Sequence, residues 1–401
     1  MTLANLKSTA DLDVRGKRVL VRADLNVPVL DGQVSDATRL ERLLPGLRGL
    51  AERGARVIVI SHFGRPRGGR DPSLSLKPVA AKLAQLLGRP VAFAEDCVGE
   101  PAERTVASLL PGQVAVLENL RFHGGEEKND PAFAARLAAL GDVFVNDAFS
   151  AAHRAHASTE AVARLLPSYA GPLLLEEIKA LASVLENPVR PTAAVIGGAK
   201  VSTKIPVLKN LVAKVDKLII GGGMANTFLL AQGVEIGKSL AEPDLAQTAR
   251  EILHAAKERH CEVLLPHDVV VAPRLAATAP WRIVPTLETP ADALILDVGP
   301  KSVAHYTAVI EHAKTLLWNG PLGAFECEPF AQGTFALARA VAELTRAGRL
   351  LSVAGGGDTV AALNAAGVAD AFSYVSSAGG AFLEWLEGRD LPGIVALAAA
   401  A

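Results

Sequence analysis

ARVIVISHFGRP (residues 55–66) runs four consecutive branched apolar residues straight into a polar, basic turn. A short, unbroken apolar run bounded by turn residues reads as a strand buried on both faces, the habit of parallel sheets. The same form recurs along the chain. RVLVRADL (18–25), QVAVLENL (113–120) and DVFVNDAF (142–149) share it in the first half. TAAVIGG (192–198), KLIIGGG (217–223), EVLLPHDVVV (262–271), LILDVG (294–299), TLLWNG (315–320) and RLLSVAGGG (349–357) share it in the second. Helical patterns such as ATRLERLLPGLRGLAERG (37–54) and SLKPVAAKLAQLLG (75–88) lie between them. Two such series predict an α/β protein of two doubly wound, parallel-sheet (Rossmann-like) domains.

The boundary falls near 167–191. LLPSYAGPLL carries Pro167, Gly171 and Pro172, and the following LEEIKALASVLENPVRP reads as one helix ended by Pro188. The predicted division is a first domain over 1–170, a connecting hinge helix over 171–190, a second domain over 191–390 and a C-terminal segment over 391–401.

Bulk composition narrows the class. Of 401 residues, 50% are apolar and 21% charged, so a large core is available and the composition argues against disorder. No apolar run approaches the ~20 residues of a membrane span, and the first residues carry no secretion-signal pattern. Cys97, Cys261 and Cys327 lie far apart with no CxxC pair, which argues against a disulfide scaffold or a zinc site and suits a reducing cytoplasm. A net charge of −1 argues against a nucleic-acid binder. Residues 1–170 nevertheless hold 22 Lys and Arg against 19 Asp and Glu, and 17 of those 22 are arginines. Arginine's planar fork pairs bidentately with carboxylate or phosphate.

Almost every predicted strand ends in a glycine-rich or polar cluster, where parallel α/β sheets bind ligands. In the second half these clusters are GGAKVSTK (197–204), GGGM (221–224), NGPLG (319–323) and GGGDT (355–359). Glycine lets backbone amides approach phosphate oxygens, although tight strand-to-helix turns also use it for steric reasons. No GxGxxG opens these turns, and GVEIGKS (233–239) is one residue short of a P-loop. If a helix starts at GGAKVSTK, Lys200 and Lys204 share one face beside its amide-rich end, unless both are plain surface lysines. Asp358 sits at another predicted helix start, as an N-cap or as the single carboxylate of a magnesium site. In the first half, RADLNVP (22–28) places Arg22, Asp24 and Asn26 in alternation. SHFGRP adds His62 and Arg65, ENLRF adds Arg121, AAHRAHAS adds His153, Arg154 and His156, and DATRL adds Arg39. Six basic side chains, Arg39, His62, Arg65, Arg121, Arg154 and His156, therefore predict a pocket for a small polyanion. Either histidine could equally be a buried structural one.

Taken in order, RADLNVP, ATRL, SHFGRP, ENLRF, DAFS with HRAHAS, GGAKVSTK, GGGM, LWNGPLGAFE and GGGDT resemble the phosphoglycerate kinase family over almost the whole chain. The resemblance implies reversible phosphoryl transfer between 1,3-bisphosphoglycerate and MgADP, giving 3-phosphoglycerate and MgATP, a step of glycolysis and gluconeogenesis. It implies a cytoplasmic, hinge-bending monomer with no nucleic-acid or membrane partner, whose C-terminal segment LPGIVALAAAA returns to the first domain. Carried over, the phosphoglycerate residues are Asp24, Asn26, Arg39, His62, Arg65, Arg121 and Arg154. The nucleotide residues are Gly198, Ala199, Lys204, Gly222, Gly223, Asn319, Glu326, Gly356, Gly357, Asp358 and Thr359, with Asp358 on Mg²⁺. Arg39, Lys200 and the amides of Gly379 and Gly380 would face the moving phosphoryl. SSAGGAF (376–382) departs from the family's three glycines, with Ala378 in the first place. If that position needs φ > 0, transfer is slowed. Another acyl-phosphate-forming kinase, or a catalytically inactive nucleotide-binding protein, would share much of this pattern.

Overall fold

The computed structural model describes residues 6–67 and 69–400. The chain forms two compact units. The first runs to Lys179 and takes back the chain from Asp390 onward; the second comprises Ala180–Arg389.

The first unit is built on a six-stranded, all-parallel sheet. Its spatial order is Val91–Ala94, Val114–Leu117, Arg56–Ile60, Arg18–Arg22, Val143–Asn146, Ser168–Ala170. Alternate strand residues such as Val19, Val21, Val57 and Val59 bury against Leu40, Leu43 and Leu47 of helix Thr38–Glu52 and Val79 and Leu83 of helix Lys77–Leu87. The order of connection reverses between Arg18–Arg22 and Val143–Asn146, which makes the ends of those two strands the switch point. The edge strands Val91–Ala94 and Ser168–Ala170 escape sequence reading because they are too short to show a pattern.

The second unit carries a parallel sheet ordered Glu262–Leu264, Lys217–Ile220, Thr192–Ile196, Thr315–Asn319, Leu351–Gly355, Tyr374–Ser376. This is the 3-2-1-4-5-6 order of dinucleotide-binding folds, with its switch point between Thr192–Ile196 and Thr315–Asn319. One expectation is corrected here. EVLLPHDVVV is two strands and not one, and Asp268–Ala272 and Leu294–Val298 do not join the parallel sheet. They pair antiparallel with each other, and Arg282–Pro285 completes a separate three-stranded sheet. Pro266 interrupts the run, and the three residues after Leu264 cannot hold the crossover that a parallel return needs.

Helix Pro172–Leu185 begins in the first unit and ends in the second. Its first turn is capped from a distance. Asp147, following strand Val143–Asn146, accepts the Leu173 and Leu174 N–H groups at 2.8 and 3.1 Å. Burial pushes the Asp147 carboxyl up to about 6 against those two bonds. Helix Pro392–Ala399 packs in the first unit, where the Gly393 N–H donates to the Ala152 carbonyl at 2.9 Å. Among the described residues no helix is long and apolar enough to cross a membrane, and Cys97, Cys261 and Cys327 are free thiols.

A Cβ on Gly171 would overlap the Asp147 carboxyl group. Gly171→Ala should therefore displace the cap and destabilise the protein by about 1–3 kcal/mol. A urea unfolding midpoint equal to wild type would show that the cap tolerates displacement.

Candidate functional site

Two clusters of chemistry stand out, one at each switch point. In the first unit a chain of hydrogen bonds links Asp24, Asn26, Arg39 and Arg121, four of the predicted polar residues. Arg39 Nη1 donates to Asp24 Oδ2 at 3.1 Å and to the Asn26 carbonyl at 3.0 Å. Ser150 Oγ donates to the same Asp24 oxygen at 2.6 Å. Asn26 Oδ1 accepts the Gly64 N–H at 3.0 Å, and the Gly64 carbonyl accepts Arg121 Nη1 at 2.6 Å. Arg121 also pairs with Glu127 at 3.2 Å. Arg154 Nε donates to His153 Nε2 at 3.2 Å. Arg65 is exposed, and its positive charge repels that of Arg121.

The histidines record how cationic this cluster is. His62 is buried, and its pKa falls far below the ordinary value, through burial first and then through Arg22, Arg121 and Arg154. His156 is pushed down to about 4 by burial and then by Arg121, Arg154 and Arg22. Both rings are therefore neutral at pH 7 while lying among arginines. The two sequence readings of these histidines, buried and site-facing, are not exclusive.

In the second unit the turns after Thr192–Ile196 and Thr315–Asn319 lie against each other. The Gly197 N–H donates to the Asn319 carbonyl at 3.0 Å, and a Cβ on Gly197 would overlap the Pro321 carbonyl. Gly222, with φ +68°, lies so close to the next turn that a Cβ would stand 2.5 Å from the Gly198 carbonyl oxygen. Glycine at these positions is thus required by backbone crowding. That crowding brings three strand ends together around Lys204. Its Nζ donates to the Gly197 carbonyl at 2.9 Å and to Asn319 Oδ1 at 2.5 Å. Asn319 Nδ2 donates to the Gly355 carbonyl at 2.7 Å, and Thr359 Oγ1 accepts the Gly320 N–H at 2.7 Å. Burial lowers Lys204 to about 8, and Asp358 partly opposes the shift.

A pocket of about 370 Å³ opens over this arrangement, and Gly198, Ala199, Gly222, Gly223, Glu326 and Asp358 line it. Much of its remaining wall is apolar, including Leu240, Leu294, Leu296 and Leu322. Those leucines were not legible as site residues, since nothing separates them from core leucines in sequence. Asp297, also in the wall, is a buried carboxyl raised to about 7 by desolvation against the Gly333 and Val298 N–H bonds.

Three local expectations change. Lys200 and Lys204 do not share a helix face. The first precedes the short turn Val201–Thr203 and is exposed, whereas the second follows it and turns inward, because the α-helix starts only at Ile205. Asp358 is not a cap: Gly356 holds that position, which leaves the exposed Asp358 carboxylate directed at the pocket. Ala378 does not need positive φ, which falls on Gly379 (φ +53°), the residue before helix Gly380–Leu386. Lys200, Gly379 and Gly380 are not part of the pocket wall.

The sequence model of the family described as phosphoglycerate kinase matches residues 9–389. A phosphoglycerate kinase of Methylorubrum extorquens is 62% identical over 386 residues, covering 96% of each chain. That of Rhodospirillum centenum is 61% identical over 393 residues, covering 98% of this chain and 99% of the relative. Among solved structures, phosphoglycerate kinase from Coxiella burnetii superposes with a TM-score of 0.92 at 45% identity, covering 98% of both chains. The Pyrococcus horikoshii enzyme gives 0.82 at 31% identity, covering 98% of this chain and 99% of that one. The chain belongs to the phosphoglycerate kinase family, phosphotransferases whose acceptor is a carboxyl group.

Proposed function

We propose that the first unit takes the phosphoglycerate and the second takes the nucleotide in the reversible transfer between 1,3-bisphosphoglycerate and ADP. One observation carries the division: the arginine cluster and the glycine-built pocket belong to different units, each at the switch point of its own sheet. Arg39, His62, Arg65, Arg121 and Arg154, with Asp24 and Asn26, suit an anion bearing carboxylate and phosphate. The apolar wall suits a nucleotide base, and Gly198, Gly222 and Gly223 leave room for the sugar and phosphates. Lys204, Asn319, Glu326, Gly356, Gly357 and Thr359 complete that side.

Phosphoryl transfer asks chiefly for positioning and charge neutralisation. The acceptor carboxylate is already ionised near neutral pH, so no general base is required. Arg39 and Lys200 neutralise the oxygens of the moving group, and the amides of Gly379 and Gly380 add donors. Asp358 fits a magnesium site: its carboxylate is exposed at the pocket and makes no hydrogen bond or ion pair among the described residues. The ion, when bound, offsets nucleotide phosphate charge, as is usual with one protein carboxylate. A cytoplasmic monomer completes the reading; the free thiols suit that compartment and family membership supports the monomer.

Arg39→Ala should lower turnover by about 10³-fold while leaving ADP affinity near wild type; near-normal turnover removes the role given to Arg39. The lowered Lys204 value has a direct consequence. Lys204 is charged below about 8 and neutral above it, so kcat/KM for nucleotide should fall as pH rises through about 8 in the free enzyme. A profile flat to about pH 9 excludes this group as the phosphate cation. Transfer between ligands on two units requires closure about helix Pro172–Leu185. The radius of gyration from X-ray scattering should therefore shrink when 3-phosphoglycerate and nucleotide are both bound, and an unchanged radius rules closure out.

A further inference from the structure

Behind the cationic cluster of the first unit lies a side chain that the transfer reaction does not use. Arg22, the last residue of strand Arg18–Arg22, is 1% exposed. Each of its three nitrogens has one acceptor. Nε donates to Ser158 Oγ at 2.9 Å, Nη1 to the Ala23 carbonyl at 2.6 Å, and Nη2 lies 3.0 Å from His62 Nδ1. The network continues inward. Ser158 Oγ donates to Glu126 Oε1 at 2.6 Å and the Ser158 N–H to Oε2 at 3.0 Å. Arg22, Ser158 and Glu126 are all buried, and His62 is 8% exposed.

The direction of every bond follows from one fact: a guanidinium has donors and no acceptor. Ser158 Oγ accepts a hydrogen bond from Arg22 Nε, so its own hydrogen points to Glu126. His62 Nδ1 accepts a hydrogen bond from Arg22 Nη2, so it must present its lone pair. A ring protonated at Nδ1 would set two donors against each other at 3.0 Å in a buried site, and an imidazolium would add a cation beside Arg22, Arg121, Arg154 and His156. The only remaining form is the neutral ring with its hydrogen on Nε2.

We infer that Arg22, anchored through Ser158 to Glu126, is a positioning residue that locks His62 as the neutral Nε2–H tautomer and makes it a hydrogen-bond donor, not a charge, toward bound phosphoglycerate. Only the last clause rests on the acid-site reading. His62 then supplies direction to the anion, while Arg39, Arg65, Arg121 and Arg154 supply charge. This division holds whatever the pH across the physiological range, because His62 does not titrate there.

Nitrogen-15 NMR of histidine-labelled full-length protein, free of ligand, tests the tautomer. Wild-type His62 should show a protonated Nε2 and a bare Nδ1, unchanged from about pH 5 to about pH 8. An Nδ1–H signal or an imidazolium in that range overturns the inference without reference to any substrate. In Arg22→Met, Nδ1 loses its donor, so the Nδ1–H tautomer should become populated while burial, the largest cause of the lowered pKa, keeps the ring neutral. The KM for 3-phosphoglycerate should then rise, with kcat changed less, because part of the population no longer presents Nε2–H. A His62 locked as in wild type despite Arg22→Met assigns the tautomer to other neighbours and overturns the role of Arg22. Should that variant not fold, the wild-type spectrum alone still decides the tautomer. His62→Ala separates the two layers: a KM for 3-phosphoglycerate equal to wild type, beside the inferred spectrum, overturns the donor role and the acid-site reading while the tautomer stands.

Discussion

Parallel pairing obliges every strand of a sheet to end on the same edge, and both sites descend from that constraint. In each unit the chain must leave that edge six times, and at the switch point two neighbouring strands leave in opposite directions. The space between those departures is where Asp24 and Asn146–Asp147 emerge in one unit and Gly197 and Asn319–Gly320 in the other. The two units use the space differently. The first surrounds it with guanidinium groups tied to backbone carbonyls. The second crowds backbone against backbone until only glycine fits, leaving room above.

The charge arrangement follows from burial. A cluster of arginines needs internal compensation for its like charges. Asp24 accepts Arg39, Glu127 pairs with Arg121, and Glu126 takes the far end of the Arg22 network through Ser158. The two histidines remain neutral because burial and the arginines around them make a further proton costly. In the second unit the half-buried Lys204 ammonium is held differently. Lys204 is held by carbonyl and amide oxygens, which are dipoles and not charges, so these partners leave its charge uncompensated.

Much of this is legible along the chain. The central strands announce themselves because burial on both faces demands unbroken apolar runs such as RVIVI (56–60), and their ends announce themselves by an abrupt change to glycine or polar residues. The positions Arg39, His62, Arg121 and Arg154 follow from that rule plus the family resemblance. Where reading by pattern failed, a non-local partner decided. Asp268–Ala272 has the composition of a parallel strand, yet pairs antiparallel because Pro266 and a three-residue link deny it a crossover. Lys200 and Lys204 are spaced for one helix face, yet part because Asn319, more than a hundred residues away, draws Lys204 inward before the helix begins. Asp358 has the composition of a cap, but Gly356, with φ +97°, already turns the chain into the helix.

The sequence by itself determined the fold class, the two-part organisation and the residue types at each strand end, since hydrophobic periodicity and turn chemistry are properties of neighbours along the chain. Only the tertiary structure decided which groups carry charge and which way their hydrogens point. Arg22 reads as one more basic residue at a strand end. Buried against Ser158 and His62, it becomes the group that sets a histidine's tautomer, because burial removes water as an alternative partner and leaves each guanidinium nitrogen one acceptor.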